Sequence, residues 1–170
     1  TIADVSMLGW VRNLIGFSGG SVGLSPTPAR QAERRNAAAM DRQVTLTASA
    51  EAAKAVTAVT FESYDDAAAI RDDLTGRIES AELAFADAGD DAAYQALRNL
   101  RLAVVRDVTA RGGSLARVYD YAPAADEPAL VIAQRLYGDA GRADEIIERN
   151  RIRHPGFVPA GRALEVLTDA

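Results

Sequence analysis

The fold is decided by RVYDY at residues 117–121 and by ALVIAQRLYGDAGRADEIIERNRIRHPGFVPAGRALEVL at residues 129–167. The first segment alternates in side-chain character, which predicts a short β-strand. Two short amphipathic helices follow, separated by Gly138-Asp139, and the closing residues 163–167 predict a second strand. We therefore expect a strand–helix–helix–strand unit whose two strands pair antiparallel.

The helices of this unit are short, and each has one apolar face. Pro128 suits the first turn of the first helix, where its missing N–H costs nothing, and residues 143–149 form the second helix. Asn150 is predicted to end the second helix in the left-handed conformation. Phe157 lies between turns rich in proline and glycine, and we expect it to close the small core. The other residues predicted to be buried are Leu130, Ile132, Ala133, Leu136, Ile146 and Ile147.

The chain upstream of this unit is rich in alanine and is predicted to be helical. Residues 29–61 form one long helix, or two pieces that meet at the β-branched patch 44–47. Helices over 66–86 and 91–111 are joined by a short loop, which predicts an antiparallel hairpin. Candidate helix caps are Ser63 or Asp65 for the first of these helices, Asp90 or Asp91 for the second, and Gly112-Gly113 at the end of the bundle.

These patterns predict an α+β fold that is predominantly α, with a helical bundle or hairpin before a small strand–helix–helix–strand module. The predicted domains are an N-terminal amphipathic arm with its linker at 1–28, the bundle at 29–113 and the module at 114–170. In the arm, Trp10 lies beside a helical apolar stripe, which we expect to pack on the rest of the chain or on a second copy. A membrane-surface anchor is the alternative, but the arm has few Lys or Arg for anionic lipid. The stripe consists of Met7, Leu8, Val11, Leu14 and Ile15.

Composition restricts the chemistry that the chain can perform. The formal net charge is −5 and the pI is near 4.9, which argues against general DNA binding. Cysteine is absent, so the sequence offers no disulfide and no thiolate metal site. His154 is the sole histidine, and no EF-hand spacing of carboxylates occurs. We therefore expect no enzyme activity, no metal and no cofactor.

The termini and the hydropathy pattern carry little further information. No stretch approaches the roughly 18–20 apolar residues that a membrane span needs. The N-terminus lacks the pattern of a signal peptide, since Asp4 occupies the place of a basic region. The chain begins at Thr1, which fits a processed protein or a piece of a longer one.

The C-terminal stretch resembles a LysM module, in particular the version found in phage and prophage tail proteins. The resemblance departs at residues 126–130, where Asp-Glu-Pro-Ala-Leu replaces the usual Gly-Asp-Thr-Leu turn. In cell-wall LysM modules that turn forms one lip of the glycan groove, so its loss counts against N-acetylglucosamine binding. The matches are Tyr137-Gly138-Asp139, Ile146 with Asn150, Pro155, Phe157-Val158-Pro159, Gly161, Leu164 and Val166.

A wider resemblance includes YQALRNLRLAVVRDVTARGGSLARV at residues 94–118. Together with the C-terminal stretch, it is similar to the C-terminal half of phage Mu-type tail proteins of the DNA circularisation, or prophage DNA circulation, family. The similarity covers residues 61–167 well and residues 29–60 loosely. An acidic chain gives no support to the DNA in that family label, because DNA-binding proteins neutralise phosphates with Lys and Arg.

The resemblance implies a non-enzymatic structural protein of a contractile phage tail, or of a phage-derived particle, at the baseplate hub where the tail tube starts. It would be assembled in the bacterial cytoplasm and reside in the virion. It would dock, in several copies arranged in a ring, on hub, tail-tube and tape-measure proteins. The alternatives are a peptidoglycan-binding LysM module and a DNA-contacting protein of the tail terminus.

The candidate residues for an interface, or for a glycan-like groove, each have a structural alternative. Gly138 at positive φ and Asp139 as a cap would end one helix and begin the next. Asn150 would bind a sugar amide or stop a helix, and Phe157 would stack on a sugar ring or be buried. His154 is expected to be solvated rather than a pH sensor. The candidates are Trp10, Asp126, Tyr137, Gly138, Asp139, Asn150 and Phe157.

Overall fold

A computed structural model describes residues 9, 11–17 and 27–168. The architecture of these residues is predominantly helical with one small sheet, which confirms the predicted α+β class. A 3-10 helix at Ala140–Arg142 separates the last two α-helices. The other elements are α1 at Pro28–Thr57, α2 at Tyr64–Asp87, α3 at Asp91–Gly112, β1 at Val118–Tyr121, α4 at Ala129–Tyr137, α5 at Ala143–Arg149 and β2 at Leu164–Leu167.

The described chain divides into two compact units. One unit contains α1, most of α2 and α3, and we call it the bundle. The other contains residues 63–65 and the chain from Ser114 onward, and we call it the module.

Helix α1 is a single rod, so the β-branched patch does not divide it. Pro28 occupies its first turn, and the Thr27 hydroxyl accepts a hydrogen bond from the Arg30 N–H. The helix ends at Thr57, earlier than the predicted Phe61. Its buried face is narrow and consists mainly of small side chains, which lets neighbouring helices approach closely. These buried residues are Thr45, Ala48, Ser49, Ala52 and Val56.

Helices α2 and α3 run antiparallel, as the short loop between them predicts. Glu82, late in α2, receives two hydrogen bonds from Arg101 in α3, at 2.7 and 3.1 Å. Ala67, early in α2, faces Gly112 at the end of α3, where an added Cβ would lie 2.6 Å from the Ala67 Cβ. Gly112 is therefore needed for the close approach of the two helices.

The ends of the bundle helices are joined by charged side chains. Asp90 caps α3, as predicted, by accepting a hydrogen bond from the Ala93 N–H at 3.1 Å. Hydrogen bonds from Arg42 and from that N–H lower the pKa of the Asp90 carboxyl. The Arg111 guanidinium donates to the carbonyls of Val56 and Val59 and so holds the end of α1 against α3.

The N-terminal segment packs on the bundle where the structure describes it. Residues 11–14 are helical, and Ile15 is buried. Arg12 donates to the Asp73 carboxylate of α2 at 3.0 Å. Of the two expected arrangements, packing on the rest of the chain or on a second copy, these contacts agree with the first. Trp10 and the remaining apolar positions of the arm, Met7 and Leu8, lie outside the described residues.

The module has the predicted strand–helix–helix–strand order, and β1 pairs antiparallel with β2 from Val118↔Leu167 to Tyr121↔Leu164. One end of β1 is held by Asp65, whose carboxylate accepts a hydrogen bond from the Val118 N–H at 2.7 Å. Asp65 therefore lies inside α2 and supports the strand, whereas Ser63, the other predicted cap candidate, directly precedes the helix. The module core consists of Ala129, Ile132, Ala133, Ala143, Ile146, Ile152, Val158, Leu164 and Val166.

Among the helices of the described residues, none is long and apolar enough to cross a membrane.

Candidate functional site

Two loops of the module lie side by side and are joined by backbone hydrogen bonds. The first loop, residues 122–128, joins β1 to α4, and the second loop, residues 150–163, joins α5 to β2. Glu127 in the first loop and Val158 in the second exchange both backbone hydrogen bonds, at 3.1 and 2.9 Å. This bridge draws the two loops together along their length.

Further hydrogen bonds close the space between the two loops. The Gly161 N–H donates to the Pro123 carbonyl, and the Ala129 N–H donates to the Pro155 carbonyl, each at 2.8 Å. Asp126 is exposed, and its carboxylate accepts from the Ala160 N–H at 2.8 Å. These polar groups of the two loops are therefore already paired within the chain.

Tyr137 joins α4 to the sheet. Its hydroxyl oxygen accepts a hydrogen bond from the Leu167 N–H at 3.1 Å, and the Arg142 guanidinium carbon lies 3.7 Å from the centroid of its ring. Burial raises the pKa of the Tyr137 phenol above its usual value. The hydroxyl and the ring of Tyr137 thus both make contacts inside the module.

The Gly138-Asp139 turn has the structural geometry that the sequence indicates. Gly138 has a φ of 69° and ends α4 in the left-handed conformation. The Asp139 carboxylate accepts from the Gly141 N–H at 2.8 Å and caps the 3-10 helix. Both residues are exposed, and their contribution to an interface stays a prediction.

Asn150 ends α5, but the prediction of a left-handed conformation there was wrong. Its φ is −93°, and the positive φ of 49° occurs one residue later, at Arg151. The Asn150 amide nitrogen donates to the Glu165 carbonyl, and its amide oxygen accepts from the Glu165 N–H, each at 2.8 Å. The side chain pairs with β2 as a neighbouring strand would. The left-handed conformation of Arg151 then changes the direction of the chain after this contact.

Phe157 is 57% exposed, so the prediction that it closes the core was wrong. Val158 fills that place instead, because its bridge to Glu127 turns the Val158 side chain inward and the adjacent residue outward. Leu130 was also predicted to be buried and is 57% exposed, since α4 presents its smaller neighbour Ala129 to the core.

These exposed apolar side chains belong to two segments that a backbone hydrogen bond joins. Leu130 follows Ala129, whose N–H is bonded to the second loop at Pro155, two residues before Phe157. Val131, the next residue of α4, is also exposed. We call Leu130, Val131 and Phe157 the apolar patch. Periodicity could have indicated it, because residues 130–133 are apolar in an unbroken run and one helix face cannot bury them all.

Two arginines and a histidine precede Phe157 in the second loop. The Phe157 N–H donates to the His154 carbonyl at 2.9 Å, so both residues belong to one turn. Arg151, Arg153 and His154 are exposed, and none of them forms an ion pair with any other residue that the structure describes. We call Arg151 and Arg153 the basic rim. The sequence alone predicted no role for these two arginines, although they are visible in the run RNRIRH at residues 149–154.

The described residues contain no cluster of three or more His, Cys, Asp or Glu side chains that could hold a metal ion.

The chain is similar to a known prophage protein. No family model matches the chain. The chain is 32% identical over 110 residues to the Mu-like prophage FluMu DNA circularization protein of Haemophilus influenzae. The similar region is 65% of this chain and 24% of that protein, so the match spans about a quarter of the relative's length. This homologue supports the family that the sequence resembles.

Proposed function

We propose that this chain is part of a non-enzymatic structural protein of a contractile phage tail, or of a particle derived from one. It acts at the baseplate hub, where the tail tube starts, by docking on other tail proteins. The observation that carries this proposal is the apolar patch, Leu130, Val131 and Phe157, beside two loops whose polar groups are already paired with each other. Burial of such a surface against another protein is favourable because it removes apolar area from water, whereas its paired polar groups offer few hydrogen bonds to a polar small molecule.

The similarity to a Mu-like prophage protein supports the phage setting. The strand–helix–helix–strand order, the left-handed Gly138 and the paired Asn150 support a LysM-like origin of the module. We propose that this LysM-like scaffold serves protein docking, because its most exposed large side chains are apolar and its groove-forming loops are bonded together.

Purified particles provide the first test. Mass spectrometry should detect the chain in tails or tail-like particles at a fixed ratio to the hub protein. Its absence from intact, infectious or bactericidal particles would refute the proposal.

Binding to purified partners provides the second test. The change Leu130→Ala with Phe157→Ala should weaken capture of the full-length protein by hub, tail-tube or tape-measure protein. We expect a loss of about tenfold or more, since buried apolar anchors dominate interface energies. The matched control is Met40→Ala with Leu102→Ala, which removes exposed apolar side chains from the bundle. Equal effects of the two pairs would show that the patch has no special role.

Peptidoglycan binding is the second candidate function, and the exposed Phe157 ring favours it because aromatic rings can stack on sugars. Pull-down on insoluble peptidoglycan tests it directly. Retention that is lost in Phe157→Ala and competed by chitin oligomers would replace the docking proposal for this surface.

The DNA-contacting alternative makes a different prediction. A protein that contacts phosphates binds DNA with an affinity that falls steeply as salt rises. We expect a flat titration with duplex DNA at physiological salt, because the chain is acidic overall.

A further inference from the structure

The bundle has an acidic face with an apolar centre. Glu79, Leu83 and Asp87 are spaced at i, i+4 and i+8 on α2 and therefore lie along one face of the helix. Leu83 is 60% exposed, and both carboxylates are exposed as well. Across the ranges 11–17 and 27–168, neither carboxylate forms an ion pair, although Glu79 lies near enough to Arg101 to add, after Glu82, to the raised pKa of that guanidinium. We call these residues the acidic stripe.

The module carries the opposite arrangement. Arg151 and Arg153 are exposed and unpaired among the described residues, and they lie in the same loop as the exposed Phe157. The loop therefore presents two positive charges and an exposed aromatic side chain. The acidic stripe, in contrast, presents two negative charges on either side of an exposed leucine.

We propose that the basic rim and Phe157 of one copy dock on the acidic stripe of a second copy. The inference deepens the proposed function and rests on it, since it names a second copy of the chain as one docking partner. A second copy fits the acidic stripe because the two surfaces carry opposite charges and each has an exposed apolar side chain, Phe157 on one and Leu83 on the other. Opposite charges steer and orient such contacts, while burial of Phe157 against Leu83 supplies attraction that salt does not screen.

The two surfaces are different, so the contact is head-to-tail. Each copy would use its rim to bind one neighbour and its stripe to accept another. Such contacts build a ring when the rotation between copies closes, and an open chain when it does not. The contact is small, and interfaces below about 1,200 Å² are typically weak and transient. We therefore expect self-association at micromolar concentrations that weakens as salt rises from about 50 to 500 mM, as exposed charges are screened.

Charge reversal tests the pairing directly. Sedimentation equilibrium of the full chain at low salt should show concentration-dependent association. The stripe variant Glu79→Arg with Asp87→Arg should weaken it about tenfold or more, and so should the rim variant Arg151→Glu with Arg153→Glu, because like charges then face each other.

A mixture of the two variants is the decisive sample. The reversed rim of one variant complements the reversed stripe of the other, and their unchanged surfaces remain complementary too. The equimolar mixture should therefore associate as the unaltered chain does. The matched control, Arg98→Glu with Arg106→Glu, changes the charge of α3 by the same amount as the rim variant and should leave association unchanged.

Circular dichroism of each variant should match that of the unaltered chain, because every changed side chain is exposed. A monomer at all concentrations up to about 0.5 mM at low salt would overturn the inference, since micromolar association would saturate there. Failure of the mixture to recover association would overturn it as well. Neither result would contradict the proposed function, which is tested separately by detection of the chain in particles.

Discussion

Removing one partner of the ion pair between Glu82 and Arg101 should strongly destabilise the bundle. Glu82 is 3% exposed, and Arg101 donates to both of its carboxylate oxygens. The hydrogen bonds to Glu82 raise the pKa of the Arg101 guanidinium, which therefore stays charged. Removal of either partner leaves the other charge without compensation, but the two remaining charges differ in their access to water.

The difference in exposure sets the expected magnitudes. In Glu82→Ala, Arg101 keeps a side chain that is 27% exposed and can be partly hydrated, so we expect a loss of about 2–3 kcal/mol. In Arg101→Ala, the Glu82 side chain, which is 4% exposed in the unaltered protein, loses its cationic partner, and breaking a buried pair in this way costs about 3–5 kcal/mol. The double change Glu82→Leu with Arg101→Met should recover most of the loss, since apolar replacements of buried pairs are often neutral or stabilising.

Urea unfolding followed by circular dichroism at 222 nm measures these free energies. The exposed pair Arg30–Glu33 is the control, and Glu33→Ala should cost about 0.5 kcal/mol or less. The reasoning is refuted if Glu82→Ala costs no more than Glu33→Ala, or if the order of the two Ala variants is reversed.

Three further predictions concern single positions. Gly112→Ala should lower the free energy of unfolding in urea by about 1–3 kcal/mol, because its Cβ would lie 2.6 Å from the Ala67 Cβ. Gly76→Ala, which has nothing within 4 Å of its new Cβ, should raise the free energy of unfolding by about 0.5–1 kcal/mol. Asn150→Ala removes the pairing of α5 with β2 and should cost about 2 kcal/mol, with faster amide exchange in β2 than in the unaltered protein. The hydrogen bond from Arg42 lowers the pKa of Asp90. The ionised Asp90 carboxylate therefore stabilises the fold fully above the unfolded pKa of about 4, and this stabilisation is lost as pH falls through the lower folded pKa. Asp90→Asn should therefore flatten the acid limb of stability against pH, and an unchanged acid limb would contradict this.

Local signals in the sequence predicted local features of the structure well. The helix periodicities, the cap at Asp90 and the left-handed Gly138 all depend on residues within one turn of each other. The antiparallel pairing of the two short strands also followed from the pattern around them. These features need no knowledge of distant segments, because neighbouring backbone groups supply their hydrogen bonds.

The candidate site was predicted less well, because its geometry depends on partners far along the chain. The outward direction of Phe157 follows from the bridge between Val158 and Glu127, and the conformation of Asn150 follows from its pairing with Glu165. Asp65 could not be recognised as a support for β1 until residue 118 was placed beside it.

The sequence by itself determined the element order, the α+β class and the resemblance to a Mu-type tail protein, since periodicity and spaced motifs are properties of the chain. Only the tertiary structure decided which apolar residues face water. A strand or loop residue changes faces with a shift of one position, and a bridge from a distant loop sets that position. The closed loop pair, the apolar patch and the basic rim therefore became visible only in the folded chain.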